Sequence, residues 1–309
     1  MADQRLPNLI IAGVAKAGTT SLFNYLAQHP EIFPSDVKET RYFDPLRFGE
    51  QLEPLETYAE YFRRRTTERY AVEATPSYFQ GGSTTAEAIR RTLPDVRVVV
   101  ILRSPPERCW SYYRYERSRG RVPADMDFDA YLSRCEELHA LGADGLREHR
   151  SYTGLVGGCY AKWLDSWASR FGSRLKVVYF DDLTADAPAV VKAICTWLEI
   201  DAGVVDRFDF QVENQTKQVR SQAAQQLALA VNRRAERLFR RRPSVKRRLR
   251  GLYYLVNRDP AESTPSAAAT QRLARFYKPH DDELARQLRS LGLPRPPWLH
   301  QRDRRLDLT

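Results

Sequence analysis

The chain has 309 residues, of which 42% are hydrophobic and 28% are charged, and its formal net charge at pH 7 is +10. This composition is typical of an ordinary soluble globular protein and excludes a collagen, a coiled-coil rod and a mostly disordered chain. At roughly 150 residues per domain the length allows one large or two small domains. The patterns described below favour a single domain over residues 1–309.

Targeting and metal-binding signals are not found in the sequence. No apolar run approaches the roughly 20 residues that cross a bilayer, and the first residues lack the apolar core of a signal peptide. We therefore expect a cytoplasmic protein. The four cysteines form no C-x-x-C pair and the five histidines form no pair at ligand spacing, so neither a redox pair nor a metal site is predicted.

Strand and helix patterns alternate along the chain. Short apolar runs predict strands at residues 7–13, 70–74, 96–102 and 175–180. Helices are predicted at 21–26, 86–92, 106–119, 160–171 and 187–198, and a Pro/Ser/Ala-rich linker at 261–269 precedes a last helix near 270–291. This order predicts an α/β fold, with a P-loop-like parallel sheet flanked by helices on both faces. Residues 7–200 would form the nucleotide-binding core and residues 217–300 a helical C-terminal extension.

The segment from Gly13 to Ser21 joins the first strand to the first helix, and such a junction is a natural anion site because of its free N–H groups and helix dipole. Two glycines allow close approach of the backbone, and a lysine adds positive charge. A Walker A loop needs Lys where this chain has Thr19, which disfavours a nucleotide triphosphatase; a glycine turn without a ligand is the alternative. The predicted phosphate contacts are Lys16, Ala17, Gly18, Thr19, Thr20 and Ser21.

A second candidate phosphate contact follows the third predicted strand. Arg103 comes directly after that strand, at the sheet edge where ligands of open α/β sheets bind. Pro105 and Pro106 then begin a helix that carries Ser111. A guanidinium fork and a hydroxyl suit one phosphate group, whereas a surface ion pair is the alternative interpretation of the arginine.

Positive charge is concentrated late in the chain. Residues 217–250 contain twelve Lys or Arg and one acidic residue, which gives +11, so the remainder sums to about −1. Apolar residues recur there at helical spacing, and a pair of helices with solvated arginine faces is one interpretation. The other is a patch for an anionic acceptor or for peripheral contact with a membrane. No nucleic-acid-binding motif accompanies the charge, so a nucleic acid partner is not predicted.

Taken together, these motifs resemble the sulfotransferases that use 3′-phosphoadenosine 5′-phosphosulfate (PAPS). Residues 16–22, KAGTTSL, resemble the family's 5′-phosphosulfate loop, and residues 102–113, LRSPPERCWSYY, resemble its 3′-phosphate motif. Further similarity extends over 73–79, 160–167 and 177–183, in consistent order. The nearest resemblance is to the Golgi heparan sulfate sulfotransferases and their bacterial cousins. Because the chain lacks the Golgi members' membrane anchor, we expect a bacterial protein.

The resemblance implies transfer of a sulfuryl group from PAPS to an acceptor hydroxyl on a glycan, lipid or natural product, without a metal. Lys16 would then stabilise charge on the bridging oxygen, and Arg103 with Ser111 would bind the 3′-phosphate. Glu39, in the segment KETRYFD at 38–44, falls where the heparan-modifying enzymes have their general base. A surface ion pair with Lys38 or Arg41 is the alternative role of this glutamate.

The chain also departs from the family pattern. Ala74 stands where the heparan enzymes carry lysine, and Arg41 is a candidate replacement. The loop that closes over the nucleotide is not recognisable, and Lys217 and Arg220 are candidates for its contact. Two competing functions remain open at this point: a P-loop-type small-molecule kinase, which the misplaced lysine disfavours, and a nucleotide-binding protein without turnover.

Overall fold

The computed structural model describes residues 6–143, 146–210 and 264–300. Five parallel strands form one sheet in the order β2-β3-β1-β4-β5. The strands are β1 (Leu9–Gly13), β2 (Ile32–Pro34), β3 (Tyr70–Ala74), β4 (Arg97–Leu102) and β5 (Leu175–Tyr179). β1 and β3 are buried along their whole length, as expected for parallel strands that are covered on both faces.

The side on which successive strands are added to the sheet reverses at β1. The chain runs from β1 to β2 and returns to β3 on one side of β1, whereas β4 lies on its other side. Ile11 therefore has Ala74 as its partner on one side and Val99 on the other. In open α/β sheets, ligands bind in the crevice at the carboxyl ends of the strands where the order reverses. Here that crevice lies between β1 and β4.

Helices flank the sheet and pack one apolar face inwards. In α6, for example, the buried residues Leu164, Trp167 and Phe171 recur at helical spacing. The Asp186 carboxylate caps α8 by accepting a hydrogen bond of 2.9 Å from the Ala189 N–H. The helices are α1 (Thr19–Leu26), α2 (Leu55–Ala59), α3 (Gly82–Thr92), α4 (Pro105–Ser118), α5 (Phe128–Ala140), α6 (Ala161–Phe171), α7 (Phe180–Ala185), α8 (Ala187–Leu198) and α9 (Ala267–Ser290).

The described residues form two compact units. The first comprises residues 6–108, 157–210 and 276–300 and contains the whole sheet. The second comprises 109–143, 146–156 and 264–275. Aromatic rings form the core of the second unit: the Trp110 and Phe128 centroids lie 4.8 Å apart, and those of Tyr113 and Tyr131 lie 5.1 Å apart.

The predicted α/β fold is confirmed, as are the parallel sheet with flanking helices and a helix near the C-terminus. The last helix begins at Ala267, inside the predicted linker. Short elements were missed, namely β2, α2 and α7, and so was the longer α5. The basic segment 217–250 lies outside the described residues, and the single domain stays a prediction. None of the described helices is long and apolar enough to span a membrane.

Candidate functional site

The predicted site residues follow the ends of different strands. Lys16 follows β1, Glu39 follows β2 and Arg103 follows β4. Because the strands are parallel, their carboxyl ends share one edge of the sheet. The fold of the first unit therefore brings these three segments to the same edge, which is the ligand-binding edge in open α/β sheets.

The loop between β1 and α1 has a backbone that few residues can adopt. Lys16 and Gly18 have φ angles of 72° and 84°, in the left-handed region that only glycine enters without a steric penalty. A Cβ atom at Gly18 would also lie 3.1 Å from the Leu183 Cδ2 atom and 3.2 Å from the Phe180 ring. A glycine is therefore required where the loop enters α1.

The first turn of α1 presents N–H groups for an anion. Gly18 is the N-cap residue and has no side chain to cap the helix, and the Leu22 N–H makes the first helical hydrogen bond, to the Gly18 carbonyl at 3.0 Å. The N–H groups of Thr19, Thr20 and Ser21 precede that bond, so they belong to the turn whose donors have no helical acceptor. Ala17 differs, since its N–H donates to the Val14 carbonyl within the loop.

Arg103 ties the two predicted phosphate motifs together. Its Nη1 donates to the backbone carbonyl of Lys16 at 3.1 Å, and its Nη2 forms an ion pair with Glu107 at 3.1 Å. The guanidinium lies over the Phe180 ring, 4.3 Å from the centroid, so stacking fixes its plane. The arginine side chain remains 20% exposed. The ion pair that the sequence offered as an alternative does form, alongside a direct contact with the loop.

A second arginine, Arg108 of α4, holds the same loop and was not singled out from the sequence as a site residue. Its side chain is fully buried, and its Nη1 donates to the Ala15 carbonyl at 3.4 Å. A buried guanidinium is expensive unless it is paired or hydrogen-bonded. Its position inside the 102–113 motif was the available signal, because an arginine in the first turns of a helix after a buried strand can reach the neighbouring loop.

Three further contacts with the nucleotide were predicted from the sequence. Ser111 lies in α4, is half-buried and belongs to the second unit. Lys217 and Arg220 lie outside the described residues. The roles of all three in nucleotide binding stay predictions.

Glu39 is held between two cations. Its carboxylate lies 2.8 Å from the Arg41 Nη2 and 3.3 Å from the Lys38 Nζ, and its side chain is 33% exposed. Burial raises the pKa of this carboxyl, but the charges and hydrogen bonds of Lys38 and Arg41 outweigh burial and leave the pKa below its ordinary value. For the Lys38 ammonium group burial acts in the other direction and lowers the pKa below its ordinary value. Glu39 is therefore ionised at neutral pH, which is the form a general base requires, while the alternative ion pairs also exist.

A buried hydrogen-bond cluster contacts the residue that follows Glu39. At its centre is Glu73 of β3, which is fully buried and accepts from the Thr40 Oγ1 at 2.5 Å and from the Tyr58 hydroxyl at 2.7 Å. Burial raises the pKa of this carboxyl, and the hydroxyl donors oppose that effect. A glutamate within an otherwise apolar strand was the signal in the sequence, but the position alone did not identify its partners.

Comparison with known proteins gives a consistent result. The model of the sulfotransferase domain family matches residues 6–252. The human bifunctional heparan sulfate N-deacetylase/N-sulfotransferase 3 is 24% identical over 312 residues, which cover 96% of this chain and 31% of that protein. The membrane-associated sulfotransferase kil1 of Dictyostelium discoideum is 35% identical over 113 residues, 36% of this chain and 23% of that protein.

A solved sulfotransferase structure is similar over three quarters of the chain. A sulfotransferase from Alicyclobacillus acidocaldarius superposes with a TM-score of 0.58 at 26% identity, covering 75% of this chain and 94% of that chain. The curated relatives described above are much longer proteins, since the chain spans less than a third of their length.

Proposed function

Since the chain belongs to the PAPS-dependent sulfotransferase family, as its sequence predicts, we propose that it moves a sulfuryl group from PAPS to an acceptor hydroxyl and leaves adenosine 3′,5′-bisphosphate. The contact between Arg103 and the carbonyl of Lys16 carries the proposal. It joins the segment expected at the 3′-phosphate to the segment expected at the 5′-phosphosulfate, so both segments can contact one nucleotide that carries both groups.

On the donor side, the β1–α1 loop would bind the 5′-phosphosulfate. The first-turn N–H groups of α1 and the hydroxyls of Thr19, Thr20 and Ser21 supply donors, and Lys16 supplies the charge that stabilises the leaving phosphate oxygen. Arg103 would bind the 3′-phosphate, with Ser111 further along α4 adding a hydroxyl and Lys217 or Arg220 closing over the nucleotide. A requirement for the 3′-phosphate would distinguish PAPS from ATP.

On the acceptor side, Glu39 would take the proton as the acceptor oxygen attacks sulfur. The glutamate is ionised but bound to Arg41 and Lys38, so an incoming hydroxyl has to compete with these cations for the carboxylate. Positioning and charge stabilisation, rather than covalent chemistry by the protein, would then account for the rate. No metal ion takes part in this scheme.

The acceptor class is proposed from two observations. The +11 charge of residues 217–250 suits an anionic glycan, an acidic natural product or a lipid-linked substrate, and it also suits peripheral contact with a membrane. The curated relatives include proteins named as heparan sulfate N-sulfotransferases. An amino group on a glycan is therefore the second acceptor chemistry to test beside a hydroxyl. A cytoplasmic location and a bacterial source stay predictions.

Calorimetric titration with adenosine 3′,5′-bisphosphate, run beside ADP and beside ATP with Mg²⁺, tests the donor site. We expect micromolar binding of the bisphosphate, a large loss of affinity in Arg103→Ala, and little binding of ADP. Tighter binding of ATP with Mg²⁺ would instead favour the small-molecule kinase.

Measuring sulfuryl transfer by the wild type and by Glu39→Gln distinguishes an enzyme from a binding protein. The acceptor screen begins with heparan-type glycans and continues with other hydroxyl compounds. We expect the variant to bind the bisphosphate as the wild type does and to lose turnover. Turnover that is unchanged in the variant would remove Glu39 as the base, and a wild type that binds the nucleotide but turns over no acceptor would favour the non-catalytic alternative.

A further inference from the structure

Glu73 is a carboxyl group without contact with solvent, and such a group is costly to bury unless it is fully hydrogen-bonded. Hydroxyl groups donate hydrogen bonds to both of its carboxylate oxygens: the Thr40 Oγ1 at 2.5 Å, the Tyr58 hydroxyl at 2.7 Å and the Thr75 Oγ1 at 3.1 Å. Tyr58 binds Oε1, whereas both threonines bind Oε2. One carboxylate oxygen therefore faces the threonines and the other faces the tyrosine.

The threonine side of Glu73 leads to the backbone beside Glu39. Thr40 is the next residue in the chain, and its side chain is bound directly to the buried carboxylate. Thr75 bonds Glu73 and also accepts a hydrogen bond of 3.2 Å from the Arg41 N–H. Two successive residues after Glu39 are thus fastened to the end of β3, which is a strand of the sheet core.

This attachment coincides with an unusual backbone. Glu39 and Arg41 have φ angles of 66° and 59°, and a left-handed conformation costs a residue with a side chain roughly 1–2 kcal/mol. Such conformations persist only where surrounding contacts fix them. Thr40, whose hydroxyl is bound to Glu73, lies between the two. The Arg41 Nη2 lies 2.8 Å from the Glu39 carboxylate, so the two left-handed residues are also joined by an ion pair.

We propose that Glu73 is a positioning residue: through Thr40 and Thr75 it holds the left-handed segment that presents Glu39, and so fixes the carboxylate between Lys38 and Arg41. The proposal rests on the proposed function, in which Glu39 is the general base. Glu73 would act on Glu39 through the hydrogen bonds of Thr40 and Thr75. A carboxylate on a strand is a rigid anchor, and rigid support is what a base on a loop needs in order to keep its geometry.

The tyrosine side of Glu73 supplies a matched control. Tyr58→Phe removes one hydrogen bond to the same carboxylate but leaves the contacts of Thr40 and Thr75 in place. Thr40→Val removes one hydrogen bond on the other side at nearly constant volume, and Thr40→Ser restores the hydroxyl. If Glu73 served only the stability of the core, the valine and phenylalanine variants would behave alike.

The readout is the titration of the Glu39 carboxyl, followed by NMR in protein labelled with ¹³C-glutamate. Glu39→Gln identifies the signal. We expect a titration midpoint below the ordinary glutamate value in the wild type, Tyr58→Phe and Thr40→Ser. In Thr40→Val the midpoint should rise towards the ordinary value, because the segment relaxes and the two cations move away from the carboxylate. Binding of adenosine 3′,5′-bisphosphate should be the same in all four proteins.

Two results would overturn the proposal: a Glu39 midpoint that does not move in Thr40→Val, or one that moves equally in Tyr58→Phe. If Thr40→Val does not fold, Thr75→Val removes the other anchor and gives the same test. Failure of the proposed function is recognised separately. Full turnover by Glu39→Gln would remove the base assignment, whereas the titrations would still decide whether Glu73 fixes the segment.

Discussion

The guanidinium of Arg103 stacks on the ring of Phe180, 4.3 Å from the ring centroid. The same ring lies 3.2 Å from the place where a side chain at Gly18 would begin. One phenylalanine of α7 therefore contacts both the arginine after β4 and the entrance to α1. The two proposed phosphate-binding segments are thus supported by a common neighbour, and changes on either side of the ring can be tested separately.

Arg103→Lys should weaken binding of adenosine 3′,5′-bisphosphate although the charge is kept. Lysine has no planar fork with which to stack on Phe180 and bind two acceptors at once. Loss of one hydrogen bond to a charged group costs about 1.5–3 kcal/mol, so we expect affinity to fall by about 10- to 140-fold. Calorimetry measures the loss. Arg91→Lys, a change at an exposed arginine of α3, should bind as the wild type does.

Gly18→Ala should lower both stability and nucleotide affinity. The substitution places a side chain at a φ of 84° and against Leu183 and Phe180, so conformational strain of about 1–2 kcal/mol adds to crowding. Gly49→Ala is the control, because Gly49 has a φ of 71° but a Cβ atom added there would meet nothing within 4 Å. Chemical denaturation should show a larger loss for Gly18→Ala. Equal losses would mean that strain alone makes the glycine necessary.

Arg41→Gln should shift the acid limb of the pH–rate profile to higher pH. Burial raises the pKa of Glu39, and Lys38 and Arg41 lower it further than burial raises it. Removing one cation therefore raises the pKa, and a base works only above its pKa. The lowered pKa of Glu39 also stabilises the folded state. This stabilisation is present above the unfolded-state pKa and is lost as the pH falls through the folded-state pKa. It should be smaller in the variant.

The measurement for this prediction is kcat/KM against pH with one acceptor common to all proteins. Arg63→Gln is the control, since Arg63 is an exposed arginine whose ion-pair partner is Glu60. An acid limb that stays in place in Arg41→Gln would contradict the role of Arg41 in setting the proton affinity of Glu39.

Arg108→Lys should destabilise the protein and weaken nucleotide binding together. The guanidinium is fully buried and donates to the Ala15 carbonyl in the loop, and an unsatisfied buried group costs about 1–3 kcal/mol. Thermal denaturation measures the first effect, and titration with adenosine 3′,5′-bisphosphate measures the second. A variant with lower stability but unchanged affinity would show that Arg108 supports the core and not the loop.

The sequence predicted the parts of the fold that depend on local pattern. The run of β-branched residues in β4 and the glycines around the first loop identify a strand and a turn by themselves. Strand β2 was missed because three residues that end in Pro34 carry no alternating or apolar pattern long enough to recognise. It is an edge strand, where proline is tolerated.

From the sequence, residues of the candidate site could be predicted, but their contacts could not. Lys16, Arg103 and Glu39 could be named from spacing and from family resemblance, and the strand order explains why they share one edge. Their partners could not be named, because the contact between Arg103 and the Lys16 carbonyl joins residues far apart in the chain. The Glu39–Arg41 ion pair likewise joins two residues whose left-handed φ angles neither residue type favours.

The strand order reverses at β1, and this separates the proposed donor segments from the proposed base. The proposed donor segments extend from β1 and β4, whereas the proposed base follows β2 and its buried support lies at the end of β3. Residues 35–69, between β2 and β3, carry Glu39 and the two hydroxyls of Thr40 and Tyr58 that bind Glu73, whereas the segments assigned to PAPS lie outside this block. An exchange of this block between related chains would therefore change the surroundings of the proposed base and leave the residues of the proposed donor segments as they are.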